Sequence, residues 1–270
     1  IEYLNNKAFI IGDDANYLLI LDSNLNITDS IGLYSYIEKI IPKSVKPYLE
    51  SISILPGNKF LLTGSGASAP RQIAWILDPL TRQKDSIRLD TFYQRLLLNG
   101  IAELNIEGST AIPGSVVLSN RGSKGYPKNQ LIFTGRNFRE RQTTTEINTV
   151  LAGTNTDTSF FNGISGLAYA KKTDKLIMTV STEDTRNSID DGAIGKSYLW
   201  IIKNISSKKR WKAVNPDTII DLEEADPRFK GQKIESVCIT KETGKFLYLL
   251  LVADNDDGSS TIFRLVVTNK

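Results

Sequence analysis

The sequence contains no histidine and only one cysteine, Cys238, among its 270 residues. The absence of histidine excludes Ser-His-Asp and Cys-His nucleophile pairs, as well as histidine-ligated zinc or iron. A single cysteine excludes an internal disulfide and any multi-cysteine metal site. Catalysis would have to use carboxylates, Lys, Tyr, Ser, Thr or Arg, or a hard cation held by oxygen atoms. Haem, zinc, nucleotide and flavin cofactors are therefore not expected.

Long apolar runs and dense basic stretches are also scarce. No run of about 18 apolar residues is present, so no membrane span is expected. The net charge is +3 and the residues 208–210 form the one dense basic run, which argues against a nucleic-acid partner. The chain is expected to be a monomer. Because it begins with Ile1 rather than Met, we expect an upstream segment to be missing, which favours a periplasmic or secreted protein over a cytoplasmic one.

A short motif recurs along the chain and opens five similar segments. An aliphatic residue followed by glutamate begins the segments at residues 1, 49, 106 and 234, and the segment at residue 164 has serine in place of glutamate. After the motif come a short strand, a turn such as Pro56-Gly57, a strongly apolar strand, a polar loop and a third strand. A more polar fourth strand closes most segments, for example residues 85–89 and 218–222.

Repeated units of four short strands are typical of a β-propeller. The sequence therefore predicts an all-β single domain over residues 1–270, with about five four-stranded blades and six as the alternative count. The blades would span approximately residues 1–48, 49–105, 106–163, 164–233 and 234–270. The last segment lacks a fourth strand, so we expect a strand upstream of Ile1 to complete it. A β-sandwich of similar hairpins would explain the strands but not the recurring motif.

Helices are expected only as short inserts that cover the propeller. The stretch from Asp90 to Gly100 has an N-capping residue, an apolar face and an Asn-Gly stop. A weaker helix is expected over Tyr34–Ile41. Both lie between blades and do not form a separate domain.

The motif glutamates are the strongest candidates for a functional site. In a propeller the innermost strands begin near the axis, so Glu2, Glu50, Glu107 and Glu235 should converge on one funnel. Such carboxylates repel one another unless a cation or arginines lie between them. They could hold a Ca²⁺ ion, which takes six to eight oxygen ligands. Alternatively, each could accept backbone hydrogen bonds from the next blade and lock the blades together.

Loops between the second and third strands should reach the same funnel and bring both signs of charge. Asp13, Asp14 and Asp254 are further candidates for holding a metal ion. The Asp-Gly pair after Asp254 is also a common hairpin turn, so the two interpretations stay open there. The candidate anion-binding residues are Arg71, Arg121, Lys124 and Arg186, although each arginine could instead pair with a nearby carboxylate.

Two stretches resemble a known family. The run from Asn162 to Tyr169, with Lys172–Leu176 after it, resembles the blade opening of the phytase-like (esterase-like) bacterial propeller proteins. Residues 49–66 and 105–108 look like an uncharacterised branch of that group. The resemblance implies a propeller fold. It also implies that clustered carboxylates could hold calcium and that Lys and Arg could hold phosphate.

The expected function is a polar central funnel that binds a cation, a small anionic ligand, or both. If the protein is an enzyme, we expect a metal-assisted phosphoester or carboxylic-ester hydrolase, that is, a phytase-like phosphatase or an esterase. The alternative is a non-catalytic binding or scaffold propeller in which the glutamates only lock blades together.

Overall fold

A computed structural model describes residues 1–12, 15–34, 48–153, 161–183, 194–255 and 259–269. Its strands form five separate sheets, which are the blades. Blade 1 contains β1 (Glu2–Leu4), β2 (Lys7–Ile10), β3 (Tyr17–Leu21) and β4 (Ile27–Gly32). Blade 2 contains β5 (Leu49–Leu55), β6 (Lys59–Gly64), β7 (Ile73–Leu77) and β8 (Lys84–Arg88). Blade 3 contains β9 (Ile106–Ile112), β10 (Ser115–Asn120), β11 (Gln130–Thr134) and β12 (Ile147–Ala152).

The last two blades use longer strands. Blade 4 contains β13 (Phe161–Ala170), β14 (Lys175–Glu183) and β15 (Ile194–Lys203). The short strand β16 (Ala213–Val214) follows, and β17 (Thr218–Asp221) completes blade 4. Blade 5 contains β18 (Ile234–Glu242), β19 (Phe246–Asp254) and β20 (Ser260–Thr268). The predicted all-β propeller with five blades is confirmed, since five separate sheets are not the two packed sheets of a sandwich.

Burial decreases from the second strand of a blade to the fourth. Every residue of β10 and of β14 is buried, because these strands have a neighbouring strand on each side and neighbouring blades on both faces. The fourth strands β4 and β8 are mostly exposed. The polar composition expected of the closing strands follows from this position at the rim.

Two blades depart from four strands among the described residues. Blade 3 gains β16, which pairs in parallel with β12 through Leu151 with Ala213 and Ala152 with Val214. In blade 5 the structure describes three strands, in the order β18-β19-β20. The upstream strand expected to complete blade 5 stays a prediction.

The insert between blades 2 and 3 is a helix, α1 (Asp90–Leu98). It buries Phe92, Tyr93 and Leu96 against both blades. The expected N-cap is wrong by one position: Leu89 caps the helix without a side-chain hydrogen bond, because the Asp90 carboxylate pairs with Arg88 instead. Residues 35–41 of the second expected helix lie outside the described residues. A further short helix, α2 (Leu222–Ala225), is capped by Asp221, whose carboxylate accepts hydrogen bonds from the N–H groups of Glu223 and Glu224.

The innermost strands β1, β5, β9, β13 and β18 surround the axis in chain order. Blades 1 and 5 are neighbours, because the Ile1 amino group donates a 2.8 Å hydrogen bond to Ser236 Oγ. Ile1 also packs with Cys238 and Leu250 of blade 5. None of the helices in the described residues is long and apolar enough to cross a membrane.

Candidate functional site

A buried guanidinium lies where blades 3, 4 and 5 meet. Arg121 directly follows β10, and its side chain is 8 % exposed. Its Nη2 atom donates hydrogen bonds to Glu183 Oε2 at 3.0 Å and to Ser181 Oγ at 3.2 Å, both in blade 4. Its Nη1 atom lies 3.7 Å from Glu235 Oε1 in blade 5. A blade 3 cation is therefore shared by carboxylates of two other blades.

Three of the four motif glutamates surround this arginine. Glu50, Glu107 and Glu235 are each the second residue of an innermost strand, and each is half-buried. Burial alone would lower the pKa of Arg121. The charges of Glu235, Glu107, Glu183 and Glu50, in that order, outweigh it and raise the pKa above its ordinary value. The structure therefore places these three carboxylates around one arginine.

The Glu107 carboxyl has a strongly perturbed pKa. Burial raises the pKa of Glu107 to about 7, and the nearby Glu235 charge adds to the increase. Arg121, Lys233 and a 2.9 Å hydrogen bond from Asn105 Nδ2 oppose it. A carboxyl in such surroundings changes charge near neutral pH, and perturbed groups of this kind are frequent at functional sites.

Two further charged residues, Glu183 and Lys233, belong to this group, although the sequence pattern did not indicate them. Glu183 ends β14, and Lys233 precedes β18. Lys233 Nζ lies 3.5 Å from Glu183 Oε1 and 3.6 Å from Glu235 Oε1, so it bridges blades 4 and 5. The sequence does contain one indication of the role of Glu183, at the motif position of blade 4. Blade 4 has Ser165 at the motif position, and Glu183 supplies the carboxylate that this blade would otherwise lack.

The motif positions of blades 1 and 4 make contacts between blades. Glu2 accepts a hydrogen bond from the backbone N–H of Ile54 in blade 2, and burial raises the pKa of Glu2 to about 7. Ser165 Oγ donates a 2.7 Å hydrogen bond to the Ile234 carbonyl of blade 5. These two residues have the blade-locking contacts given as the alternative role. Glu50, Glu107 and Glu235 differ from them, because they face charged side chains.

A glycine makes room for Arg121. A Cβ atom added to Gly163 in β13 would lie 2.3 Å from Arg121 Nε. Real Cβ atoms do not approach other atoms so closely, so the guanidinium can occupy this place only beside a glycine. The Asn-Gly-Ile-Ser opening of blade 4 therefore has a packing role at the site.

The remaining candidate residues that the structure describes are Arg71, Lys124 and Asp254. The Arg71 guanidinium stacks on the Tyr48 ring, with 3.3 Å from Cζ to the ring centroid. Lys124 is half-buried in the loop after β10. Asp254 is the last residue of β19 and pairs with Ser260 of β20, so these two strands form a hairpin. Asp13, Asp14 and Arg186 lie outside the described residues.

The carboxylates around Arg121 include Glu50, Glu107 and Glu235, three of the residues that the sequence suggested as calcium ligands. Within the described ranges, no three Cys, Asp or Glu side chains are grouped closely enough to hold a metal ion. The described carboxylates surround Arg121 instead, so a guanidinium lies between the oxygens that a Ca²⁺ ion would need to share. Calcium binding stays a prediction that a titration can test.

Comparison with known proteins identifies the family to which the chain is similar over almost its whole length. A model described as "Family of unknown function (DUF6929)" matches residues 1–267. A search of curated proteins finds no match. The description of the matching family does not mention phytases, so the resemblance to phytase-like proteins stays a prediction.

Several solved structures are similar over most of the chain. Catalytically inactive virginiamycin B lyase from Staphylococcus aureus with quinupristin has 9% identity and a TM-score of 0.42, covering 97% of this chain and 77% of that chain. The periplasmic gluconolactonase of Pseudomonas aeruginosa has 9% identity and a TM-score of 0.42, covering 95% of this chain and 64% of that chain. At these values the likenesses say nothing about the chemistry of this chain.

Proposed function

We propose, for a chain that belongs to the family of unknown function (DUF6929), that the axial carboxylate cluster binds a small organic cation bearing ammonium groups. We define this cluster as Glu50, Glu107, Glu183 and Glu235 with Arg121 and Lys233. The observation that carries the proposal is its charge and exposure pattern. Four carboxylates of this cluster face two cations, and both cations are buried, as is Glu183.

The half-buried members of the cluster, Glu50, Glu107 and Glu235, are all negative. The side chains of Arg121, Glu183 and Lys233 are 8 %, 8 % and 10 % exposed, whereas that of Glu235 is 23 % exposed. A ligand entering along the axis would therefore meet carboxylates before it meets cations. Excess charge of one sign in a low-dielectric cleft attracts ligands of the opposite sign.

The geometry favours an ammonium ion over a metal ion or an anion. Lys233 Nζ already bridges Glu183 and Glu235, which shows that carboxylates of two blades can share one ammonium group. An anion would have to compete with Glu183 and Glu235 for Arg121, whose Nη2 already donates to Glu183. Ammonium donors also suit oxygens that are spread over several blades.

The test is calorimetric titration with 1,4-diaminobutane, a dication. Its uncharged counterpart, 1,4-butanediol, serves as the ligand control. We expect the diamine to bind and the diol to give no heat. Glu107→Gln and Glu235→Gln should each weaken diamine binding by about tenfold or more, because a hydrogen bond to a charged group contributes about 1.5–3 kcal/mol.

Glu2→Gln is the matched protein control. Glu2 occupies the same motif position but contacts the Ile54 N–H rather than the cluster, so this variant should keep wild-type affinity. A parallel titration with Ca²⁺ separates the alternatives. Binding of Ca²⁺ without the diamine would support the metal site expected from the sequence and overturn the ammonium proposal. Binding of neither would leave the glutamates a purely blade-locking role.

Hydrolysis of a phosphoester or carboxylic ester stays a prediction from the sequence. Its direct assay is the release of nitrophenol from nitrophenyl phosphate and nitrophenyl acetate, with and without Ca²⁺. Turnover that is lost in Glu107→Gln would support an enzymatic role for the same cluster.

A further inference from the structure

A cleft of about 660 Å³ lies between blades 2 and 3 at the other end of the propeller. The strand β5 runs from the carboxylate cluster to this cleft. It has Glu50 of the cluster near its start and ends at Leu55 in the cleft wall. We call this feature the basic cleft. It is lined by Leu55, Pro56, Lys59, Ile76, Arg136 and Arg139, among others.

The floor of the basic cleft is apolar. Leu55 and Ile76 are half-buried and pack on the hydrophobic core between blades 2 and 3. Two residues without side chains, Gly114 and Gly135, form part of the wall. Gly114 has a φ of +78°, and a Cβ atom there would meet nothing within 4 Å, so the turn leaves the cleft open. A ligand can therefore place an apolar group on the floor.

Cations predominate in the lining. Lys59 and Arg136 are exposed, and Arg136 Nη2 donates a 2.9 Å hydrogen bond to the Ile112 carbonyl. This bond fixes one edge of the guanidinium, and its other N–H groups are further donors. Arg139 forms an ion pair with Glu140, the carboxylate that lines the cleft. Three basic residues against one acidic residue give the lining a positive charge.

The neighbouring turn contains one more acidic group. The Lys59 charge is among the causes that lower the pKa of Asp78, behind hydrogen bonds from the backbone of its own turn. Asp78 Oδ1 accepts hydrogen bonds from the N–H groups of Leu80 and Thr81. Asp78 is thus held by its own turn, and Lys59 is an exposed ammonium in the cleft lining.

We propose that the basic cleft binds a small organic anion, namely a phosphate or carboxylate group attached to an apolar body. The apolar body would lie on Leu55 and Ile76, and Lys59 and Arg136 would hold the charged group. The volume lies within the range of about 300–1,000 Å³ that is typical of small-molecule sites. This proposal does not rest on the carboxylate cluster.

The experiment is calorimetric titration with phenyl phosphate, with inorganic phosphate and phenol as partial ligands. We expect phenyl phosphate to bind with a stoichiometry of one and at least about tenfold more tightly than either partial ligand. Lys59→Glu should reduce its affinity by tenfold or more. Lys7→Glu is the matched control, because Lys7 is the exposed first residue of the second strand of blade 1, as Lys59 is of blade 2.

Further variants make the outcome decisive. Thermal unfolding of Lys59→Glu should match that of the wild type, and Lys59→Met, which keeps most of the stem, provides a second test. Glu107→Gln should bind phenyl phosphate normally. Absence of binding heat in the wild type, equal affinity in the Lys59 variants, or loss of binding in Glu107→Gln would overturn the assignment to the basic cleft.

Discussion

At the scale of single residues, identical motif positions have different chemical roles because their neighbours differ. Glu2 and Glu107 both follow an aliphatic residue at the start of an innermost strand. Glu2 accepts the Ile54 N–H, whereas Glu107 lies beside Arg121 and Glu235. Sequence periodicity predicts that such residues converge, but it cannot distinguish a backbone partner from a charged one.

The pKa of Glu107 gives the ammonium proposal a pH dependence. Burial and the Glu235 charge raise this pKa to about 7, so below pH 7 the carboxyl is mostly protonated and must lose its proton to pair with a cation. Raising the pH from about 6 to 8 should therefore increase diamine affinity by up to about tenfold. Calorimetry across this range measures the effect.

The Glu107→Gln variant provides the control for this pH dependence. Glutamine does not titrate, so its weaker binding should vary much less between these pH values. An affinity that rises equally in wild type and variant would show that another group titrates.

At the scale of strands and loops, the features that can be predicted from the sequence are those that repeat along the chain or depend on local residues. Turns such as Pro56-Gly57 and the helix from Asp90 were visible because they use local signals. Arg121, Glu183 and Lys233 come from three separate segments, and only the packing of blades 3, 4 and 5 brings them together. The recurring motif therefore indicated that glutamates of several blades lie near the axis, but not which carboxylates pair with which cations.

The opening of β13 provides a test of how the strands position Arg121. Gly163→Ala would place a Cβ atom against the guanidinium and should destabilise the protein by about 1–3 kcal/mol, the usual cost of overpacking. It should also weaken diamine binding, because Arg121 would move relative to Glu183. Urea unfolding and calorimetry measure the two effects.

Gly244→Ala is the matched control for this substitution. A Cβ atom at Gly244 would meet nothing within 4 Å, so the free energy of unfolding should change by no more than about 0.5 kcal/mol. Equal stability of the two variants would show that Arg121 does not depend on the space beside Gly163.

At the scale of the whole molecule, the propeller separates two kinds of charge. The innermost strands β5, β9 and β18 begin at the carboxylate cluster, and the turn after β5 leads to the basic cleft at the other end. The modest net charge of +3 conceals this separation. Because Arg121 and Lys233 join three blades, ligand binding at the cluster should also stabilise the ring of blades.

The most direct test of the central claim is a carboxyl ¹³C NMR titration of glutamate-labelled protein with 1,4-diaminobutane, with resonances assigned through Glu→Gln variants. The account predicts that the Glu107 and Glu235 resonances shift in a saturable manner and that the apparent pKa of Glu107 falls from about 7 as the diamine binds. The Glu2 resonance should not move, because Glu2 lies outside the cluster. Unchanged Glu107 and Glu235 resonances at saturating diamine would contradict the proposal that the axial carboxylates bind a cation.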